Sequence, residues 1–139
     1  MDIELLSISL RPRYLPREFP QVFITLVYIH PQINVEIAEA IIQQETLKLQ
    51  SISPDAPIII LGDMNSCTLS KSLRDFSQYV SCPTRKANTL DLCYGNIKGA
   101  YKAFPLPPLG KSDHICIHLV PVYRTALQRG GVTSITIKD

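Results

Sequence analysis

No apolar run in this 139-residue sequence approaches the length that crosses a bilayer, and the N-terminal MDIELLSISLRPR has no basic segment leading into a long apolar one. The sequence therefore predicts neither a membrane-spanning protein nor a secreted precursor. It points to a soluble intracellular chain, cytosolic or nuclear, with no membrane partner. The four cysteines, Cys67, Cys82, Cys93 and Cys116, form no CxxC pair. That spacing argues against a compact zinc site, and a chain this rich in core residues needs no disulfide framework, so reduced thiols are expected. Internal repeats are also absent. What remains is a globular composition, 45% hydrophobic and 19% charged, in a length that suits one domain with its own core.

The net charge of +2 hides a division. Residues 30–65 carry Lys48 against Glu36, Glu39, Glu45, Asp55 and Asp63, a net −4. Residues 66–112 carry Lys71, Arg74, Arg85, Lys86, Lys98, Lys102 and Lys111 against Asp75 and Asp91, a net +5. A solvated surface accounts for such a split, and a phosphate-bearing partner accounts for it as well.

Residues 3–10 and 22–29 (VFITLVYI) are apolar and β-branched, and a proline-rich stretch joins them, so an antiparallel pair is expected. The period then changes. Ile37, Ala38, Ile41, Ile42, Leu49 and Ile52 recur at helical spacing, and Asn34 stands where an N-cap belongs, which predicts a helix over 35–50. Pro54 and Pro57 separate it from a buried strand at 58–62. A short helix is expected at 69–78, and β segments at 79–82, 90–94, 100–104 and 115–120. Residues 124–139 look like a polar tail or linker in which VTSITI (132–137) could pair as an edge strand. Strands mixed with helices in this order predict an α+β or α/β sheet protein.

Three stretches carry chemistry. IIILGDMN ends a buried strand in Asp63 and Asn65, which would share a face if the backbone stayed extended. A carboxylate and an amide there can hold a hard cation, a water or a phosphate oxygen, though G-D-x-N is also ordinary turn chemistry. KSDHICIHL places Asp113 and His114 at the head of an alternating run; His114, Cys116 and His118 would share a strand face and leave a distorted metal site open. In NTLDLCY, Asp91 sits between two leucines, where an acid is expensive unless partnered. His114 is a candidate partner, since a carboxylate on one ring nitrogen fixes the tautomer and favours imidazolium; an edge-strand Asp facing water is the alternative.

Taken in order, LVYIHP with Tyr28, GDMN, TLD and GKSDH resemble the endonuclease/exonuclease/phosphatase superfamily, the fold of DNase I and of abasic-site endonucleases. Within it the segments RPRYLPREF (11–19) and GKSDH (110–114) are most similar to the endonuclease domain of LINE-type non-LTR retrotransposons. The resemblance covers about residues 5–125. It implies an α+β fold, a four-layered DNase I-like sandwich, and metal-dependent phosphodiester hydrolysis on DNA. It further implies that Asp63 activates the water, Asn65 holds the scissile phosphate, and His114, oriented by Asp91, stabilises charge on the phosphoryl oxygens. Asp113, with Asp63 and Asn65, would hold Mg2+ or Mn2+. Tyr28, Lys111 and Ser112 would contact substrate. In the family a reverse transcriptase domain follows, which this sequence does not contain.

The sequence departs from the family pattern in places. Tyr28 is followed by Ile-His-Pro where the family commonly has Pro-Asn one residue on, and Met64 replaces a usual Phe. The family's N-terminal strands and their metal-binding Glu have no counterpart, since neither Glu4 nor Glu18 has the motif context. Residues 1–123 are thus expected to form the C-terminal part of such a domain, a partial sandwich lacking N-terminal strands, with weak metal binding and impaired activity. A non-catalytic DNA-binding module or a degenerate retroelement remnant is the alternative. Hydrolysis of a phosphoinositide or sphingolipid, another branch of the fold, is disfavoured by RPRYLPREF and GKSDH.

Overall fold

The structure, a computed structural model, describes residues 3–11, 21–65, 67–69 and 71–122. Most of RPRYLPREF, Glu18 and the expected tail with VTSITI lie outside the described residues. The elements are β1 (Ile3–Leu10), β2 (Val22–Ile29), α1 (Val35–Ile52), β3 (Ile58–Asp63), β4 (Ser77–Gln78), β5 (Asp91–Gly95), β6 (Tyr101–Leu106) and β7 (Cys116–Pro121). The described chain is mixed α/β. Five strands form a mixed sheet in the order β1-β2-β3-β5-β4, and β6 and β7 form a separate antiparallel ribbon.

The β1–β2 pair is antiparallel, whereas β2 and β3 are parallel, as a strand–helix–strand crossover through α1 requires. Asn34 caps α1, its side chain accepting the N–H groups of Glu36 and Ile37 at 2.9 and 3.2 Å. The buried stripe of α1 runs Ala38, Ile42, Thr46, Leu49; Ile37 and Ile52, expected on it, are exposed. Thr46 fits because its hydroxyl donates back to the Ile42 carbonyl at 2.8 Å, leaving a methyl for the core.

Alternation of side chains gives the sheet two buried faces. Phe23, Val27, Ile29, Ile58, Ile60, Leu92 and Tyr94 pack with α1 into one core. Val22, Ile59 and Cys93 face the other way, where Tyr101, Ala103, Ile117 and Leu119 of the ribbon cover them. Helix, sheet and ribbon therefore stack as three layers.

Three expectations are corrected. Residues 69–78 form no helix: the N–H of Leu73 reaches the Leu69 carbonyl at 2.8 Å for one turn only. The Leu69 N–H is held by the Tyr94 hydroxyl at 3.0 Å, and the chain passes into pairing with β5 before a helix could propagate. The strand expected at 79–82 is instead the two-residue β4. Finally, Gly62 does not end its strand but lies inside β3, with φ of 148°. A Cβ there would meet the Val27 carbonyl oxygen at 1.8 Å, so the close approach of β2 and β3 demands glycine.

Candidate active site

Register brings the acids together. Glu4, Tyr28, Asp63 and Asp91 pair in sequence across β1, β2, β3 and β5, forming one row on the ribbon side of the sheet near the start of β7. Asp63 and Asp91 are direct cross-strand partners at adjacent strand ends, an arrangement that repels unless a positive group intervenes. His114, two residues before β7, is that group. Its Nδ1 lies 2.6 Å from Asp91 Oδ2, and its Nε2 lies 3.8 Å from Asp63 Oδ2. Asp63, Asp91 and His114 offer ligand atoms all within 4.8 Å of one another.

The electrostatics follow. The Asp91 hydrogen bond, opposed by modest desolvation and reinforced by the charges of Asp91, Asp63 and Asp113, pushes the His114 ring above its ordinary value and favours imidazolium. Desolvation, joined by the Asp91 charge, pushes Asp63 up, although the Asn65 N–H donating to Asp63 Oδ1 at 3.0 Å pulls the other way. Asp63 is thus a better proton acceptor than an ordinary carboxylate, and the His114 ring beside it is biased toward its charged, donating form.

Thr84 sets this geometry. It is fully buried, and its Oγ1 accepts the N–H groups of Leu90 and Asp91 at 3.0 and 3.1 Å. Its own carbonyl accepts from Ile115 at 2.9 Å, so one residue ties down both neighbours of the Asp91–His114 pair. Sequence reasoning passed over Thr84; a threonine after proline and before a turn is a weak local signal, and its burial is visible only once the 84–90 loop closes.

Other expected site residues go elsewhere. Asn65 does not share an extended face with Asp63: the strand stops, φ at Asn65 is +49°, and its amide Nδ2 donates to the Ile29 carbonyl. That contact ties the turn to the end of β2. Asp113 is 61% exposed and accepts from Arg85 Nε at 2.8 Å. Its other oxygen lies 3.8 Å from His114 Nε2. Arg85 was counted in the sequence only as part of the basic segment. Ser112 Oγ accepts the His114 N–H at 3.1 Å and shapes the approach to the ring, while Lys111 lies exposed in the preceding turn. Tyr28, half-exposed beside Asp63, flanks the site. His118 points to solvent, opposite Ile117 and Leu119, and forms no metal-binding group with Cys116 and His114 among the described residues. Glu4 lies two strand spacings from Asp63, about 10 Å away and outside the cluster.

All seven basic side chains of residues 66–112 are exposed. The four cysteines are free, and burial pushes the Cys93 thiol up to about 12, which leaves it inert. Among the described residues no helix is long and apolar enough to cross a membrane. No protein-family model, curated protein or solved structure matches the chain.

Proposed function

We propose that the Asp63–Asp91–His114 cluster is a phosphodiester-hydrolysing centre of the endonuclease/exonuclease/phosphatase type, acting on DNA, with a weakened hold on its divalent cation. The observation that carries the reading is the His114 ring set between two carboxylates from separate strands, bonded to one and facing the other. On this reading the sheet, helix and ribbon are part of a DNase I-like sandwich of the LINE-type endonuclease kind.

The donor set fits a hard cation, because Asp63 and Asp91 present carboxylate oxygens on one rim, the ligands Mg2+ or Mn2+ prefers. A cation held there would supply positive charge to phosphoryl oxygens. The fit is loose: Asp91 is engaged by His114, and Asp113 by Arg85.

The chain's own groups divide the remaining work. Asp63, raised by desolvation, takes the proton of the attacking water. His114, held charged and in one orientation by Asp91, donates to a phosphoryl or leaving oxygen as charge builds. Tyr28 beside Asp63 and the Lys111–Ser112 turn flank the position a phosphate would take, and the exposed basic side chains of 66–112 suit a polyanion.

Nicking of supercoiled plasmid tests this. Cleavage is expected to be slow, to require high Mg2+ or Mn2+, and to vanish in Asp63→Ala and His114→Ala. Salt-dependent DNA binding with no nicking at any metal concentration would replace the reading with a non-catalytic DNA-binding module. Fast cleavage at low Mg2+ would refute the weakened cation hold.

A further inference from the structure

Among the described residues of the basic segment 66–112, Arg85 alone is ion-paired, and its partner is Asp113. The backbone fixes where Arg85 starts. Its N–H donates to the Asn88 carbonyl at 3.0 Å, and the Asn88 N–H returns the bond at 2.9 Å, closing a tight turn over Lys86 and Ala87. Lys86 completes that turn with φ of +53°, a left-handed conformation that a lysine keeps only where its surroundings hold it. One residue earlier, the carbonyl of buried Thr84 accepts the Ile115 N–H at 2.9 Å, so the root of Arg85 runs beside Asp113 and His114.

The ion pair is half-used. Arg85 Nε donates to Asp113 Oδ2 at 2.8 Å, while the two terminal nitrogens of the guanidinium form no hydrogen bond among the described residues. Both side chains are exposed, Arg85 by 46% and Asp113 by 61%. Asp113 Oδ1 faces His114 Nε2 at 3.8 Å, and Asp63 Oδ2 faces the same nitrogen at 3.8 Å. Nε2 therefore looks into a gap between two carboxylates, neither of them at hydrogen-bond distance. Asp63, Asp91 and Asp113 share this rim with the cationic groups His114 and Arg85. His114 is bonded to Asp91 at 2.6 Å and lies only 25% exposed, so Arg85 is the charge free to leave. A guanidinium grips carboxylate and phosphate with the same fork, and a phosphodiester would engage the nitrogens that Asp113 leaves idle.

We propose that Arg85 is a latch on Asp113 that a DNA phosphate opens: the phosphate draws the guanidinium away, and the released carboxylate turns toward Asp63 and strengthens the hold on a divalent cation. The proposal rests on the phosphodiesterase reading and deepens it, since it makes the weak cation hold a property of the DNA-free chain. Arg85 is a positioning residue here, acting through Asp113. Coupling of this kind is reciprocal, so whatever releases Asp113 also favours DNA on Arg85. Its size is that of one exposed ion pair, about two- to fivefold in either affinity.

The full 139-residue chain tests it with two probes used separately. Mn2+ alone, its free form counted by electron paramagnetic resonance, should bind Arg85→Gln about two- to fivefold more tightly than the parent. Arg85→Lys keeps a charge beside Asp113 and should stay near the parent. Asp113→Asn should bind Mn2+ more weakly, and Arg85→Gln should add nothing on that background. A short DNA duplex in metal-free buffer, followed by fluorescence anisotropy, should bind Asp113→Asn about two- to fivefold more tightly than the parent, a gain that Arg85→Gln removes. The same duplex should shift the Arg85 Nε–H resonance of the parent. Mn2+ binding indifferent to Arg85→Gln, equal gains with and without Asp113, or an Arg85 resonance unmoved by DNA would overturn the latch and leave the phosphodiesterase reading standing. Absence of Mn2+ binding in the parent and in Arg85→Gln alike would overturn the cation site and the latch with it.

Discussion

Replacing Thr84 by valine keeps the shape of a fully buried side chain and removes the acceptor of two N–H groups, those of Leu90 and Asp91. Each donor loses its partner at a buried oxygen, which should cost about 1–3 kcal/mol. The added methyl returns about 1 kcal/mol of apolar burial. The net expectation is a loss of about 1–5 kcal/mol, which in a domain of this size lowers Tm by roughly 3–15 °C. Urea and thermal unfolding followed by circular dichroism measure it. A second readout separates positioning from simple packing: with Asp91 loosened, the His114 titration followed by NMR should fall back toward 6.5. Thr84→Ser keeps the oxygen and loses only a methyl, so it should cost about 1 kcal/mol and leave the His114 titration in place. Thr84→Val within 0.5 kcal/mol of the parent, or Thr84→Ser as damaging as Thr84→Val, would refute the assignment.

Asp91→Asn should lower the His114 titration and remove about 1–2 kcal/mol, since both partners are about a quarter exposed. Because His114 is raised in the fold, that stabilisation is complete below pH 6.5 and disappears as pH climbs through the raised value, so the two proteins should converge in alkaline urea titrations. Asp63→Asn should abolish nicking yet stabilise the fold at neutral pH. The charge on Asp63 is a cost present above its raised value, and the gain should vanish below pH 3.8, where the unfolded carboxyl is also protonated. Gly62→Ala should cost about 2–6 kcal/mol, the strain of a positive φ added to a clash with the Val27 carbonyl, and should shift the amide resonances of β2 and β3.

Local pattern was enough for the elements whose residues carry their own reason. The Asn34 cap, the period of α1 and the β-branched runs of β1, β2 and β3 are decided by steric preference and burial within a dozen residues. The segment 69–78 was not legible this way, because the Tyr94 hydroxyl that holds Leu69 comes from 25 residues on. The same boundary runs through the site. Asp63 and His114 stood out as polar groups at the ends of apolar strands and Asp91 as an acid between two leucines within one, and the possibility of an Asp91–His114 bond followed from their chemistry. Which acids meet was a question of register, and register depends on pairing between distant strands.

Composition and sequence pattern thus determined a globular chain, its helix, most of its strands and the acidic and histidine residues of the candidate site. Tertiary structure alone decided that β3 and β5 align Asp63 with Asp91 and that Thr84 anchors the pair. It also turned Asn65 to Ile29 and gave Asp113 to Arg85. The physical reason is range. Side-chain propensity acts through neighbours in the chain, while carboxylates and their partners are matched only after strands separated by tens of residues come into contact.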